Sequence, residues 1–203
     1  MSKQSKKSVL KGSCLWGILI FALLIFIDQI TKIAAELYLS GKDIPLFGGL
    51  VSLTLTHNPG IAYGIGSDAS PTVKLAVIIV TGVLMAGLSV AYFLTDKRRS
   101  FLRTAFVFIM AGGVGNLIDR LYYKVWLVDE TAIAVGVRDM VNLSKFGFAV
   151  CNFADFFISA GAVMLVLSLL FFDSEAFYPV GKYKALQKEK EGEEERKQKE
   201  ETK

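Results

Sequence analysis

The residues best suited to chemistry in this sequence are carboxylates and carboxamides that interrupt long apolar segments. Asp28 and Lys32 stand four residues apart and therefore share one face of a helix, with the acid first, which is the favourable order for an ion pair. Asn116 and Asp119 share a face at a spacing of three residues. Small residues at 111–113 and 115 allow close helix approach. A third stripe with helical spacing consists of Asn152, Asp155 and Ser159.

Carboxylates are the side chains from which we predict catalysis. Two carboxyl groups in a site of low dielectric do not ionise together, so they share a proton. One can then activate a water molecule while the other protonates the substrate. Asp155 has no basic residue within a helical turn, which favours a functional over a structural role. Its candidate partners are Asp119, Asp129, Asp139 and Asp28.

Other polar residues have a structural interpretation. Asp28 with Lys32 is predicted to be an internal ion pair that makes burial tolerable. Asp119 beside Arg120 is predicted to brace the loop that follows.

Nucleophilic and metal chemistry have weaker support. Two cysteines and one histidine exclude a disulfide framework and a zinc site built from several Cys and His ligands. His57 is predicted to lie on the surface of a loop, and Cys151 to be a small apolar residue at the start of a helix. A nucleophilic pair of Cys151 and His57 stays open, without a local signature in the sequence.

Composition and hydropathy place these residues in a membrane protein. Of the 203 residues 53% are apolar, which exceeds the roughly 45–50% of a soluble domain. A helix needs about 20 apolar residues to cross about 30 Å of hydrocarbon. We therefore predict an all-α membrane domain over residues 1–172 and a charged, solvated or disordered tail over 173–203. The four predicted spans are 15–37, 75–94, 104–118 and 146–172.

Lysine and arginine in the short loops predict the orientation. The segment before the first span, the loop around Lys97 and the segment from Lys182 are rich in these residues, so both termini are predicted to be cytoplasmic. The polar residues named above then converge near the outer leaflet. Alternation over 50–57, followed by the turn residues 58–60, predicts a small β-element in the first outer loop.

Five motifs occur in order along the four spans, and together they resemble a known family. That family is lipoprotein signal peptidase, also called signal peptidase II, a bacterial aspartyl peptidase. The resemblance covers about residues 15–172, and its most specific motifs are Gly-Asn-x-x-Asp-Arg and Asn-x-Ala-Asp. The motifs are Asp28-Gln29-Ile30-Thr31-Lys32, Asn58-Pro59-Gly60-Ile61-Ala62-Tyr63, Gly115-Asn116-Leu117-Ile118-Asp119-Arg120, Val137-Arg138-Asp139-Met140 and Asn152-Phe153-Ala154-Asp155.

The resemblance implies a four-transmembrane-helix bundle with a small extracytoplasmic β-cradle in the bacterial inner membrane. Such an enzyme removes the signal peptide of a prolipoprotein by cutting just before a cysteine that already carries diacylglycerol. It is expected to use two aspartates and water, without a metal, a cofactor or a covalent intermediate. Its expected partners are diacylglyceryl-prolipoproteins and membrane lipids, not nucleic acid, and the chain is expected to be a monomer.

Carried over residue by residue, the resemblance implies that the catalytic pair is Asp139 and Asp155. The remaining matches fall on supporting or substrate-binding positions of the family. They are Asp28, Lys32, Asn58, Gly60, Asn116, Asp119, Arg120, Asn152 and Ala154.

The first aspartate of the pair lies in a motif that departs from the family pattern. Met140 replaces the usual phenylalanine, and Asp139 comes 20 residues after Asp119, a longer spacing than the family has. Spacing alone favours Asp129. We prefer Asp139, because residues 137–141 keep the apolar framing of the motif.

Two other classes of membrane protein are alternatives to a peptidase. A channel or transporter subunit needs polar residues along a path through both leaflets, whereas the second span is free of charge. A lipid-binding scaffold without chemistry would not require Asp139 and Asp155 together. The ordered motifs favour the peptidase.

Overall fold

A computed structural model describes residues 3–60, 69–127, 136–173 and 176–201. Over these ranges the chain forms five α-helices and a four-stranded antiparallel sheet. The helices are α1 Lys3–Tyr38, α2 Pro71–Leu94, α3 Ser100–Tyr122, α4 Phe153–Leu170 and α5 Lys182–Glu201. The strands are β1 Asp43–Leu46, β2 Val51–Asn58, β3 Val137–Asn142 and β4 Val150–Cys151.

Four helices are long and apolar enough to cross a membrane, which confirms the predicted number of spans. The fourth begins at Phe153 and not at residue 146, because residues 146–151 belong to a turn and to β4. Gly147 has a left-handed φ of 79° there, and Asn152 caps the helix that follows. The spans are Leu15–Tyr38, Pro71–Leu94, Ser100–Tyr122 and Phe153–Leu170.

The central helix of the bundle is α3, which packs against α1, α2 and α4. The small residues at 111–113 and 115 of α3 allow its neighbours to approach closely, as predicted. At Gly112, an added Cβ would overlap the carbonyl oxygen of Ala154 in α4 and approach Ile158 Cγ1 to 2.7 Å. The close approach of α3 and α4 brings the polar residues of the two helices within reach of each other.

Gly112→Ala is therefore expected to lower the free energy of unfolding by about 1–3 kcal/mol, because the methyl group must push backbone and not a flexible side chain. Gly87→Ala is the matched control, since Gly87 in α2 faces open space. Thermal unfolding of both variants in detergent measures the difference. Equal midpoints would show that α4 shifts at no cost.

The sheet covers one end of the bundle, which we call the sheet end. Its strands follow the order β1-β2-β3-β4, and Asp139 of β3 pairs with Thr56 of β2. Met140, the residue that departs from the family motif, is buried against Ala35 and Leu39 near the end of α1. An apolar side chain at position 140 thus attaches β3 to α1, which sets the position of Asp139.

The charged tail contains α5, whose described side chains are mostly exposed. Lysine, glutamate and glutamine have high helix propensity, which accounts for a helix in this charged segment.

Candidate active site

Polar residues from four of the five motifs line a cavity of about 680 Å³ at the sheet end of the bundle. Asp139 and Asp155 both line it, although they come from different elements, β3 and α4. Asn58, Asn116 and Arg120 line it as well. Candidate residues that lie up to 97 positions apart in the sequence, from 58 to 155, therefore share one site.

Asp139 is held by two carboxamides. Its Oδ1 accepts a hydrogen bond of 2.6 Å from Asn152 Nδ2, and its Oδ2 accepts one of 3.3 Å from Asn58 Nδ2. Only 3% of its surface is exposed. Burial and the neighbouring negative charge of Asp155 raise the pKa of Asp139 to about 7, against the opposing influence of the two carboxamides and of Lys32. Asp139 therefore carries a proton at a pH where an ordinary carboxyl group has lost it.

Asp155 is the third residue of α4 and takes part in its N-terminal cap. The Asn152 backbone N–H donates to Asp155 Oδ2 at 3.1 Å, and the Asp155 N–H donates back to Asn152 Oδ1 at the same distance. Asp155 Oδ1 accepts a further hydrogen bond of 2.9 Å from Asn116 Nδ2. Two donors and the positive end of α4 thus stabilise a carboxylate at this position.

Lys32 orients the amide groups between the two aspartates. Its Nζ lies 3.0 Å from Asn116 Oδ1, which also accepts a hydrogen bond of 3.1 Å from Asn152 Nδ2. With its oxygen bound by these donors, Asn116 must direct its NH2 group toward Asp155. A lysine thereby positions donors that hold both aspartates.

Asp28 and Lys32 form the ion pair that their spacing predicts. The Nζ–Oδ2 distance is 2.9 Å, and both side chains are fully buried. Asp28 Oδ1 also accepts a hydrogen bond of 2.9 Å from the backbone N–H of Ala154, so the pair fixes the start of α4. Lys32 Nζ also lies 3.5 Å from Oδ2 of a second carboxylate, Asp119.

Asp119 and Arg120 are adjacent in sequence but bind different partners. Asp119 binds Arg138, with 2.8 Å from Arg138 Nη2 to Asp119 Oδ1, whereas Arg120 Nη2 donates to the carbonyl of Gly60 at 3.2 Å. Asp119 therefore braces the segment that follows α3, as predicted, through Arg138 of β3, whereas Arg120 contacts the turn at the end of β2. Gly60 is also fixed by its N–H, which donates to Asn58 Oδ1 at 3.0 Å in the predicted turn.

Sequence reasoning missed Arg138, the partner of Asp119, and the residues around it. These side chains lie in motifs or next to them, but nothing in their spacing pairs a residue of β3 with residues of α1. The one available signal was Arg138 itself, a charge inside an otherwise apolar motif. The missed residues are Gln29, Glu36, Tyr123 and Arg138.

The geometry does not support Cys151 and His57 as a nucleophilic pair. Burial, with a smaller influence from the charges of Asp155 and Asp139, raises the pKa of the Cys151 thiol to about 11, so it stays protonated. His57 lies on β2 with its ring edge-on to Tyr123 at 5.7 Å. His57 is half-buried, with its Nε2 buried, and it lies on a strand and not in the predicted loop.

Asp129 lies outside the described residues, as do residues 61–63 of the second motif. Of the insertion between Tyr122 and Val137, the structure describes 122–127 and 136–137. The preference for Asp139 over Asp129 therefore stays a prediction.

The protein family follows from comparison with known proteins. The family model described as signal peptidase (SPase) II matches residues 20–171. The chain belongs to the signal peptidase II family. Its activity is accordingly that of a peptidase of aspartic type, which removes signal peptides from prolipoproteins in a membrane.

Relatives of the signal peptidase II family match most of the chain. The lipoprotein signal peptidase of Fusobacterium nucleatum subsp. nucleatum is 33% identical over 176 residues, which cover 85% of this chain and 96% of the relative. That of Streptococcus pyogenes serotype M3 is 31% identical over 154 residues, or 75% and 91% of the two chains.

Solved structures agree with the fold. One bacterial membrane enzyme superposes with a TM-score of 0.60 at 27% identity, covering 75% of this chain and 86% of its own. A second superposes with a TM-score of 0.62 at 23% identity, covering 76% and 92%. The four-helix bundle with a small sheet is therefore a fold that a known membrane enzyme shares.

Proposed function

We propose that Asp139 and Asp155 are the catalytic pair of this signal peptidase II, and that it cuts the peptide bond just before a diacylglyceryl-modified cysteine. The observation that carries this proposal is the pair itself. Two carboxyl groups line one cavity, the first with a pKa of about 7 and the second capped by backbone and amide donors. Such a difference between two carboxyl groups assigns them different roles.

In the proposed reaction, Asp155 is the base and Asp139 the acid. Asp155 takes a proton from water, and the water oxygen attacks the scissile carbonyl carbon. The proton on Asp139 then passes to the leaving amide nitrogen as the C–N bond breaks. Asp139 ends as a carboxylate and Asp155 as an acid, and proton exchange between them or with water restores the pair.

The remaining cavity wall suits a lipid-modified peptide. Much of it is apolar, with Met85 from α2, Ile109 from α3 and Ile158 from α4. Arg120 lies at the polar end, where its guanidinium group can bind a substrate carbonyl or the polar part of the lipid. Apolar contacts from three membrane-spanning helices fit acyl chains or the apolar part of a signal peptide.

We place the site near the outer leaflet, with both termini in the cytoplasm. Lys97, Arg98 and Arg99 lie between α2 and α3, at the end of the bundle opposite the sheet. The positive-inside rule makes this end cytoplasmic, so the sheet end is outside. A site there meets acyl chains in the membrane and water above it. One chain supplies both aspartates, so a monomer is sufficient for the reaction.

A gel-shift cleavage assay with purified protein in detergent tests this function. The substrate is one prolipoprotein, offered with and without its diacylglyceryl group. We expect cleavage of the lipidated form alone. Equal cleavage of both forms would contradict the proposed substrate, and no cleavage by well-folded protein would favour a channel or a scaffold.

The rate of cleavage is expected to fall above about pH 7. Asp139 is protonated below its raised pKa of about 7 and loses the catalytic proton above it, so kcat falls about tenfold per pH unit on the alkaline side. The charged groups nearby are Asp155 on α4, Lys32 on α1 and Arg120 on α3. Single-turnover rates from pH 5 to 9 measure the profile. A rate that does not fall between pH 7 and pH 9 would contradict the assignment of Asp139 as the acid.

A further inference from the structure

A buried charge cluster lies behind Asp139, on the face of β3 that points away from the cavity. Side chains alternate along a strand, so Arg138 points away from its neighbour Asp139. Arg138 is 6% exposed. A fully ionised guanidinium group buried to this degree requires partners that fix it.

Arg138 binds one carboxylate of α3 with three donors. Its backbone N–H lies 2.9 Å from Asp119 Oδ2, its Nε lies 3.3 Å from the same oxygen, and its Nη2 lies 2.8 Å from Asp119 Oδ1. The side-chain contacts are the forked geometry of an arginine–carboxylate pair. The backbone contact means that Asp119 fixes the strand itself, one residue from the catalytic carboxyl group.

The same guanidinium group also binds α1. Its Nη1 lies 3.2 Å from Glu36 Oε2, and its Nη2 lies 3.3 Å from Gln29 Oε1. Tyr123, just after α3, lies under the guanidinium group at 5.6 Å and donates its hydroxyl to Glu36 Oε1 at 2.8 Å. Arg138 therefore ties β3 to α1 and α3 at the same time.

Asp119 lies between two cations, because Lys32 is its second partner at 3.5 Å. Lys32 also orients Asn116, whose amide holds Asp155. If Arg138 is removed, Asp119 has only Lys32 as a cationic partner among these residues. The lysine is then drawn toward Asp119 and away from Asn116, which disturbs the donors of the catalytic pair.

From these contacts we infer that Arg138 is a positioning residue for catalysis, which holds Asp139 against Asp155 by fixing β3 to Asp119 and keeps Lys32 available to Asn116. The inference rests on the proposed catalytic pair. Because Arg138 faces away from the cavity, its role acts on kcat and not on substrate binding. Arg138 also affects the pKa of Asp139. When Arg138 is absent, Asp119 neutralises Lys32 more fully, so the positive charge of Lys32 lowers the pKa of Asp139 less.

The test compares wild type, Arg138→Met and Arg138→Lys in the cleavage assay. For Arg138→Met we expect a kcat at least tenfold lower, a KM within about twofold of wild type, and an alkaline limb of the pH–rate profile displaced to higher pH. Arg138→Lys keeps the positive charge but loses the forked contact with Asp119. Its kcat should therefore lie between those of wild type and Arg138→Met. If the Arg138→Met variant does not fold, the test is the comparison of Arg138→Lys with wild type.

Arg99→Met is the matched structural control. Arg99 Nε binds the buried Asp173 at 2.6 Å, at the end of the bundle away from the cavity. The Arg99→Met variant should be less stable than wild type but have the same pH–rate profile. A wild-type kcat and pH profile in folded Arg138→Met, or in Arg138→Lys where only that variant folds, would overturn the inference, as would a profile shift of the same size in Arg99→Met.

Asp139→Asn is measured in the same series. An active Asp139→Asn variant would contradict the proposed catalytic pair. An inactive Asp139→Asn variant beside an Arg138→Met variant that equals wild type would instead overturn the positioning role alone.

Discussion

Asp155→Asn and Asp139→Asn are each expected to lower kcat by at least about 1000-fold, because each removes one of the two groups that transfer a proton. Both variants should stay folded. An asparagine at position 155 would keep one oxygen to accept from Asn116 or Asn152, and an asparagine at position 139 would keep one to accept from Asn58 or Asn152. Single-turnover cleavage of the lipidated substrate gives the loss, and size-exclusion chromatography with circular dichroism gives the folded state.

Two further asparagine variants make this prediction specific. Asp43→Asn is the matched control, because Asp43 is an exposed residue of β1 in the same sheet. It should cleave at the wild-type rate. Asp129→Asn tests the alternative that spacing favours. If Asp129→Asn is inactive while Asp139→Asn retains near-normal turnover, the partner of Asp155 is Asp129.

Lys32→Met is expected to lower the free energy of unfolding by about 3–5 kcal/mol. Lys32 and its partners Asp28 and Asp119 are fully buried, with Lys32 Nζ at 2.9 Å and 3.5 Å from the two carboxylates. After the substitution Asp119 still has Arg138 as a cationic partner, whereas Asp28 keeps its hydrogen bond from the Ala154 N–H but loses the cation that balances its charge. Thermal or denaturant unfolding in detergent measures the loss.

A second substitution separates charge from packing at this site. In the double variant Asp28→Asn with Lys32→Met, no ionised Asp28 is left buried, so part of the lost stability should return. Lys42→Met is the control, because Lys42 is exposed near the end of α1 and should have little effect on unfolding. A Lys32→Met variant as stable as wild type would show that Asp28 becomes protonated at little cost or gains water.

The helices and the composition of the site could be predicted from the sequence because their signals are local. Apolar segments of sufficient length mark four membrane spans, and spacings of three and four residues place Asp28 beside Lys32 and Asn116 on one face with Asp119. The fourth span was predicted to start too early, at residue 146. The apolar residues 146–151 resemble a span in hydropathy, but the left-handed Gly147 and the Asn152 cap separate them from α4.

The sequence by itself determined that the carboxylates and amides within the apolar spans must avoid lipid and that Asp155 needs a partner. Only the tertiary structure decided the pairing within this set: Asp119 binds Arg138 and not the adjacent Arg120, and one lysine orients amides for both aspartates. The reason is physical. Neighbours within a helix follow from its constant geometry, whereas contacts between β3, α1 and α3 depend on strand register and on how closely small residues such as Gly112 let the helices pack.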